Sequence, residues 1–268
     1  MAADEDASRP RRDQHPAKPE LARMLQRGSQ TFGLTTRCVI ELVQAARILV
    51  TSGARPIVYS GDRDGLVNFV VHGLVIVQLV QPDRRASVLN IVRPGEFFCL
   101  PPSPQDASYH VRGVAFDQGP GADGAVVALW KHETLMQLIA ALPPSGVIQL
   151  LTMTWLALAR RDEESRLLLD LDVGGRLAVC LHRLARRFGK PHRDGILIDL
   201  QLTDAFLAQL ISAGRETVNR RLQTLMRDNV IRREPLHRLL LLRPTPVTAE
   251  SWMPSAVAAK QVSESAMT

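Results

Sequence analysis

The stretch "SAGRETVNRRL", residues 212–222, gathers Arg215, Glu216, Asn219 and Arg220 within two helical turns, with Gln223 just beyond. These side chains can do recognition chemistry. An arginine can pair bidentately with guanine O6 and N7, and a glutamate can accept from cytosine N4. At helical spacing they share one stripe, while Val218, Leu222 and Leu225 recur at i, i+4 and i+7 on the adjoining one. A face that only meets water has no need of forked donors.

The neighbouring segments supply the elements that would position such a helix. Upstream, Thr203 and Asp204 start a short helix whose Leu207, Leu210 and Ile211 face the apolar stripe. Ser212-Ala213-Gly214 then turn the chain into a helix expected over 215–227. Two short helices around a small-residue turn, with a polar outer face on the second, make a helix-turn-helix. "VIRREPLHRLLLLRP" reads as two strands and a turn, a wing. Before them come an amphipathic helix, "GGRLAVCLHRLARRFG", closed by Gly189 and Pro191, and a short strand, "DGILIDL". Residues 174–243 hold 14 Lys/Arg against 6 Asp/Glu, whereas residues 31–173 hold 12 against 14. One basic segment beside a slightly acidic body points to a polyanionic partner, duplex DNA.

The remaining chain of 268 residues is long enough for a second core, and its 4% aromatic content leaves that core to Leu, Val, Ile and Ala. Residues 1–24 are expected as a disordered tail, and residues 21–50 show helical spacing, as in "TRCVIELVQAARIL". From 51 to 130, the runs "PIVYSG", "LVNFVVHG", "LVIVQLVQ", "ASVLNIV", "YHVRGVAF" and "AVVALW" alternate with glycines, the pattern of an all-β barrel or sandwich. "DQGPGADG" is expected as a hairpin loop. Pro143-Pro144 ends a short helix. A proline-free run over 145–173 then places Val147, Leu150, Leu151, Thr154 and Leu158 on one stripe. Such a helix needs two neighbours: its own barrel, and either more of the same chain or a second copy. The dimer reading makes Leu151, Thr154 and Leu158 interface residues. No apolar run reaches the roughly 18 residues of a membrane span, and no signal peptide is legible, so a cytoplasmic protein without a membrane partner is expected.

"LTDAFLAQLISAGRETVNRRLQTLMRDNVI" resembles the helix-turn-helix of the Crp/Fnr family of bacterial transcription regulators. "LDLDVGGRLAVCLHRLA" resembles that family's hinge and following helix, and "RPGEFFCLPP" its PGE-type barrel motif. The resemblance implies an α+β chain: a cyclic-nucleotide-binding-like β jelly-roll barrel over 25–142, a dimerisation helix over 143–173 and a winged helix-turn-helix over 174–244. A flexible tail would occupy 245–268. It further implies a homodimer reading a palindrome of the TGTGA type, with RNA polymerase as a partner. Arg215, Glu216 and Arg220 resemble its base-reading residues and Thr217 its phosphate contact; Asn219 and Thr203 join them as DNA-facing. Gly214 departs from the family, where serine is common.

The effector is less legible. A cyclic-nucleotide site of this family pairs Gly-Glu with Arg-Ser and adds hydroxyls from the long helix. Here Gly95-Glu96 is followed by Phe97-Phe98-Cys99-Leu100, Ala107-Ser108 stands where Arg-Ser would, and Arg161-Asp162 replaces the hydroxyls. A desolvated phosphate needs paired charge, so a barrel without cyclic AMP is expected, its candidate pocket being Glu96, Phe97, Phe98, Cys99, Ser108 and Arg161 with an unknown small-molecule effector. Residues 1–37 contain no cysteine for an iron–sulfur cluster. Cys99 stands at a place resembling a haem-thiolate position, and equally suits a small buried barrel residue. A cupin-like metal- or haem-binding barrel with an accessory DNA-binding domain is the alternative. His72, His110 and His132 lack the HxH spacing it would need, so no metal site and no catalytic residue is expected.

Overall fold

The computed structural model describes residues 15–32, 35–51, 56–59, 66–81, 86–99, 110–116, 124–149, 151–152, 154–156 and 171–242. The chain divides into two compact units, with the second beginning at Leu158 in the main run of sequence.

The first unit is built on two antiparallel four-stranded sheets. Its strands are β1 (Arg47–Thr51), β2 (Pro56–Tyr59), β3 (Leu66–His72), β4 (Val75–Val80), β5 (Ala86–Val92), β6 (Phe97–Cys99), β7 (His110–Ala115) and β8 (Ala125–Lys131). The sheet orders are β1-β8-β3-β6 and β2-β7-β4-β5. Alternation along the strands separates two apolar layers. Val127 and Leu129 of β8, Val70 of β3 and Phe98 of β6 meet Val75, Val92 and Val111 of the other sheet in one buried cluster. Val71, Ala128 and Trp130 face the opposite way, against Leu21, Leu25, Val39 and Leu42. Those four come from α1 (Lys18–Phe32) and α2 (Thr36–Ala45). The Trp130 indole N–H donates to the Leu42 carbonyl at 2.8 Å, which satisfies its polar atom inside that layer.

Three expectations change here. Helix α1 starts at Lys18, inside the stretch expected as tail, because Leu21 and Leu25 have a sheet face to bury against. The helical reading of 21–50 runs too far, since α2 ends at Ala45 and "RILVT" is β1, paired with β8. And β7 and β8, expected as the two arms of a hairpin, belong to different sheets; residues 117–123 between them lie outside the described residues. The "RPGE" motif is a type II turn: Gly95 sits at φ +88°, and the Glu96 N–H donates to the Arg93 carbonyl at 3.1 Å.

Helix α3 (His132–Ala140) follows, and helical residues recur at 144–149, 151–152 and 154–156. Pro144 opens that second run, where a missing N–H costs nothing. Among the described residues no helix is long and apolar enough to cross a membrane.

The second unit contains α4 (Val173–Phe188), β9 (Gly189–His192), β10 (Gly195–Ile198), α5 (Asp204–Leu210), α6 (Arg215–Arg227), β11 (Ile231–Glu234) and β12 (Arg238–Leu242). Its sheet order is β11-β12-β10-β9, so the strand read from "DGILIDL" carries the wing and gains a partner that the sequence did not announce. Leu177, Leu181, Ile198, Leu202, Leu207, Val218, Leu222 and Leu239 are fully buried beneath the helices. Burial pushes the Cys180 thiol up to about 12, so this cysteine is a neutral packing residue.

Candidate nucleic-acid interface

Helix α5 is capped by Thr203, whose hydroxyl oxygen accepts from the Phe206 N–H at 3.1 Å. Ile211 closes it, Ser212 takes a left-handed φ of 50°, and the Ala213 N–H returns to the Ala208 carbonyl at 3.0 Å. The chain then enters α6 through Gly214, an N-cap that makes no side-chain bond. Val218 and Leu222 are fully buried. A buried apolar side chain of this size stabilises by roughly 1.5–3 kcal/mol, so the pair pins one face of α6 inward. Arg215, Glu216, Asn219, Arg220 and Gln223 are thereby all exposed, and together with Asp204 and Arg227 they line one open groove.

Several carboxylates of this unit are paired with cations. Asp204 accepts from the Asn219 amide at 2.6 Å and from Arg233 of β11 at 2.7 Å. Burial works against its charge, but those two donors outweigh it and hold the carboxyl below its ordinary value. Asp172 caps α4 and pairs with Arg221 of α6. Asp194 pairs with Arg232, and Asp199 with Lys190 and Arg238. Among the described residues, Arg215, Arg220 and Arg227 line the groove exposed and outside salt-bridge distance of a carboxylate, with Arg215 close enough to feel the charge of Asp204.

The expected DNA-facing residues therefore lie together at the start of α6, with Thr217 half-buried beside Gly214 and Thr203 occupied as a cap. The ion pairs of Asp204 and Asp172 were missed. Their partners are 29 and 49 residues away in sequence, and no local pattern announces them.

Of the effector candidates, the three described ones, Glu96, Phe97 and Phe98, do not share one surface. Phe98 points between the sheets, its ring lying over Gly113, where a Cβ would come within 3.1 Å. Phe97, one residue earlier, points the other way and packs at a tilt against Phe69 with ring centres 4.7 Å apart. Strand alternation forbids both from lining one pocket. Glu96 is turned back on its own loop, accepting from the Arg93 backbone N–H at 3.0 Å and pairing with its guanidinium at 2.9 Å. The side chains of Cys99 and His110, and residues Ser108, Arg161 and Leu158, lie outside the described set. Among the described residues no three His, Cys, Asp or Glu side chains gather as metal ligands. Gly174 and Gly175 belong to the first turn of α4, and the Gly175 N–H donates to Asp172 at 2.8 Å.

A two-sheet domain joined in one chain to a winged helix with an arginine-bearing groove defines a DNA-binding regulator. Residues 175–245 match the model of the Crp-like helix-turn-helix domain. A CRP-like cAMP-activated global transcriptional regulator of Mycobacterium tuberculosis is 31% identical over 182 residues, spanning 65% of this chain and 73% of that one. The anaerobic regulatory protein of Bacillus subtilis is 34% identical over 111 residues, 41% of this chain and 45% of its own. In fold the chain is similar to FixK2 from Bradyrhizobium japonicum, with a TM-score of 0.59 at 17% identity over 78% of this chain and 98% of that one. The chain belongs to the Crp/Fnr family of transcriptional regulators. The cupin-like alternative draws no support from these relatives.

Proposed function

We propose that the protein is a homodimer that reads a palindromic operator by laying α6 in the major groove of each half-site. The observation that carries this is the groove of Arg215, Glu216 and Arg220, displayed outward by the burial of Val218 and Leu222. Arg215 and Arg220 suit guanine, Glu216 suits cytosine, and Thr217 and Thr203 suit phosphate. The dimer reading rests on Ile148, Leu151 and Trp155, which recur at helical spacing and are 64%, 64% and 74% exposed. Apolar stripes of that kind mark interaction surfaces. Thr154 is exposed beside them. In this reading the two sheets are the halves of a jelly roll over 25–142, residues 143–173 form the dimer contact, and RNA polymerase is a partner, as in other regulators of this type.

The relative in M. tuberculosis is named as cAMP-activated. We infer a different control for this chain, because no arginine stands at Ala107 to pair the phosphate and Arg161-Asp162 replaces the helix hydroxyls. The effector is a molecule other than cyclic AMP. Selection of bound sequences from a random duplex pool tests the operator reading. A palindrome should emerge, and Arg220→Ala should relax one base pair per half-site at a cost of roughly 1–3 kcal/mol. An unchanged consensus and affinity would refute it. Calorimetry with cyclic AMP should show no micromolar binding.

A further inference from the structure

Asp204 stands in the wrong place for a residue that only has to be tolerated. It lines the same groove as Arg215 and Arg220, on a face that must approach a polyanion. Its side chain is only 14% exposed, and both oxygens are committed, Oδ1 to Arg233 and Oδ2 to Asn219. Three elements, α5, α6 and β11, therefore meet at one carboxylate. The two donors it holds are both of the kind that seek DNA: a guanidinium on the wing and a side-chain amide on the base-reading stripe. A partly buried ion pair adds little net stability, because desolvating the two charges offsets their attraction, whereas a carboxylate that holds Arg233 and faces phosphates opposes phosphate-driven attachment. Sequence-independent attachment rests almost entirely on phosphate contacts, made in whatever pose brings a cation to them, whereas base contacts hold the operator complex in one pose. Sequestering a wing guanidinium therefore weakens the former more and widens the gap between right and wrong sites.

We propose that Asp204 is a specificity-determining residue: it sequesters Arg233 and Asn219 and so suppresses sequence-independent attachment to the phosphate backbone. Asn219 is accordingly a positioning residue and not a base reader. This rests on the reading of α6 as the operator-reading helix.

The test uses the full chain, the operator duplex recovered by selection, and a scrambled duplex of equal length, each titrated between about 50 and 200 mM salt. In Asp204→Asn the freed guanidinium should reach phosphate. Affinity for the scrambled duplex should rise, the slope of log K against log salt should steepen by roughly 0.9 per protomer, and the operator-to-scrambled ratio should fall several-fold. Adding Arg233→Ala to that variant should return the slope to wild type. The single Arg233→Ala variant guards against a fold defect in the first: its slope should match wild type, because the guanidinium is already held. A slope shallower by roughly 0.9 would mean that Arg233 contacts phosphate in the wild type, and would overturn the proposal. So would an Asp204→Asn variant that binds both duplexes as the wild type does, or loses both in parallel at an unchanged slope, the mark of a mere brace. A wild-type protein without preference for any duplex would instead sink the operator reading itself.

Discussion

Asp172 and Arg221 join the start of α4 to the exposed side of α6, with Arg221 Nη2 donating to Asp172 Oδ2 at 3.0 Å. The other oxygen of the same carboxylate accepts from the Gly175 N–H at 2.8 Å. A Cβ on Gly174 would lie 3.5 Å from the Arg221 guanidinium carbon and 3.4 Å from the carboxylate, ordinary contact distances, so the clasp has room for a small side chain there. The start of α4 thus carries a cap that touches α6.

The two roles of Asp172 separate by substitution. Asp172→Asn keeps an acceptor for the cap and loses the charge; because the pair is solvent-exposed, stability should change by less than about 1 kcal/mol. Asp172→Ala also loses the cap and should cost about 1 kcal/mol more. Thermal or urea unfolding of the two variants checks the order. Equal stability of Asn and Ala variants would show that the cap contributes nothing.

Gly214 gives a prediction of opposite sign. It is the N-cap of α6, its φ of −69° suits any residue, and a Cβ there would meet nothing closer than the Thr217 hydroxyl oxygen at 3.8 Å. Gly214→Ser should add the missing cap bond and stabilise by a few tenths of a kcal/mol. The hydroxyl also stands at the helix start, where phosphate would sit. Operator binding should tighten or hold while the melting temperature rises; a fall in both would show that the turn needs glycine.

What the sequence made legible follows from how local each signal is. The α5–turn–α6 unit could be read because its cap at Thr203, its small-residue turn and its apolar stripe lie within 25 consecutive residues. Strands β3, β4, β5, β7 and β8 could be read from Val/Ile alternation. Strand β1 was hidden because "AARILV" fits a helical spacing as well as an extended one, and only pairing with β8 decides between them. Helix α1 was hidden because its polar, charged start masks the buried Leu21. The pairing of Asp204 with Arg233 is a product of tertiary structure alone.

Acid should expose the ion pairs of the winged domain. Asp199 is held below its ordinary value first by the Lys190 hydrogen bond, then by the charges of Lys190 and Arg238 against an opposing burial effect. Asp194 is lowered mainly by Arg232, and Asp204 by Asn219 and Arg233 against its burial. Each carboxyl binds its proton less readily folded than unfolded, so the unfolded chain takes up more protons as the pH drops. Their stabilisation is complete above the unfolded value of 3.8 and is lost as pH falls through the lower folded values. The melting temperature should be flat down to about pH 5 and fall steeply below about pH 4. Asp199→Asn should be less stable near neutrality and show a shallower acid limb. An acid limb identical to wild type would remove Asp199 from the account.

The exposed stripe of Ile148, Leu151 and Trp155 sets the last expectation. Three large apolar side chains in register on one helix lose contact with water only if another surface covers them. A second copy does this with identical chemistry and also brings two reading helices to one palindrome. Leu151→Asp would place a charge at the centre of that contact, so the dimer should give way to monomer at micromolar concentration. Each α6 would then bind alone. Because linked half-sites gain on the order of 10² or more in avidity, operator affinity should fall by about that factor while the isolated winged face stays intact. Gln149→Asp, exposed on the opposite side of the same helix, serves as the control and should leave both mass and affinity unchanged. Light scattering coupled to size exclusion and a duplex titration read the two quantities. A wild-type protein that is monomeric at micromolar concentration, or a Leu151→Asp variant that stays dimeric with full operator affinity, would move the dimer contact away from this helix.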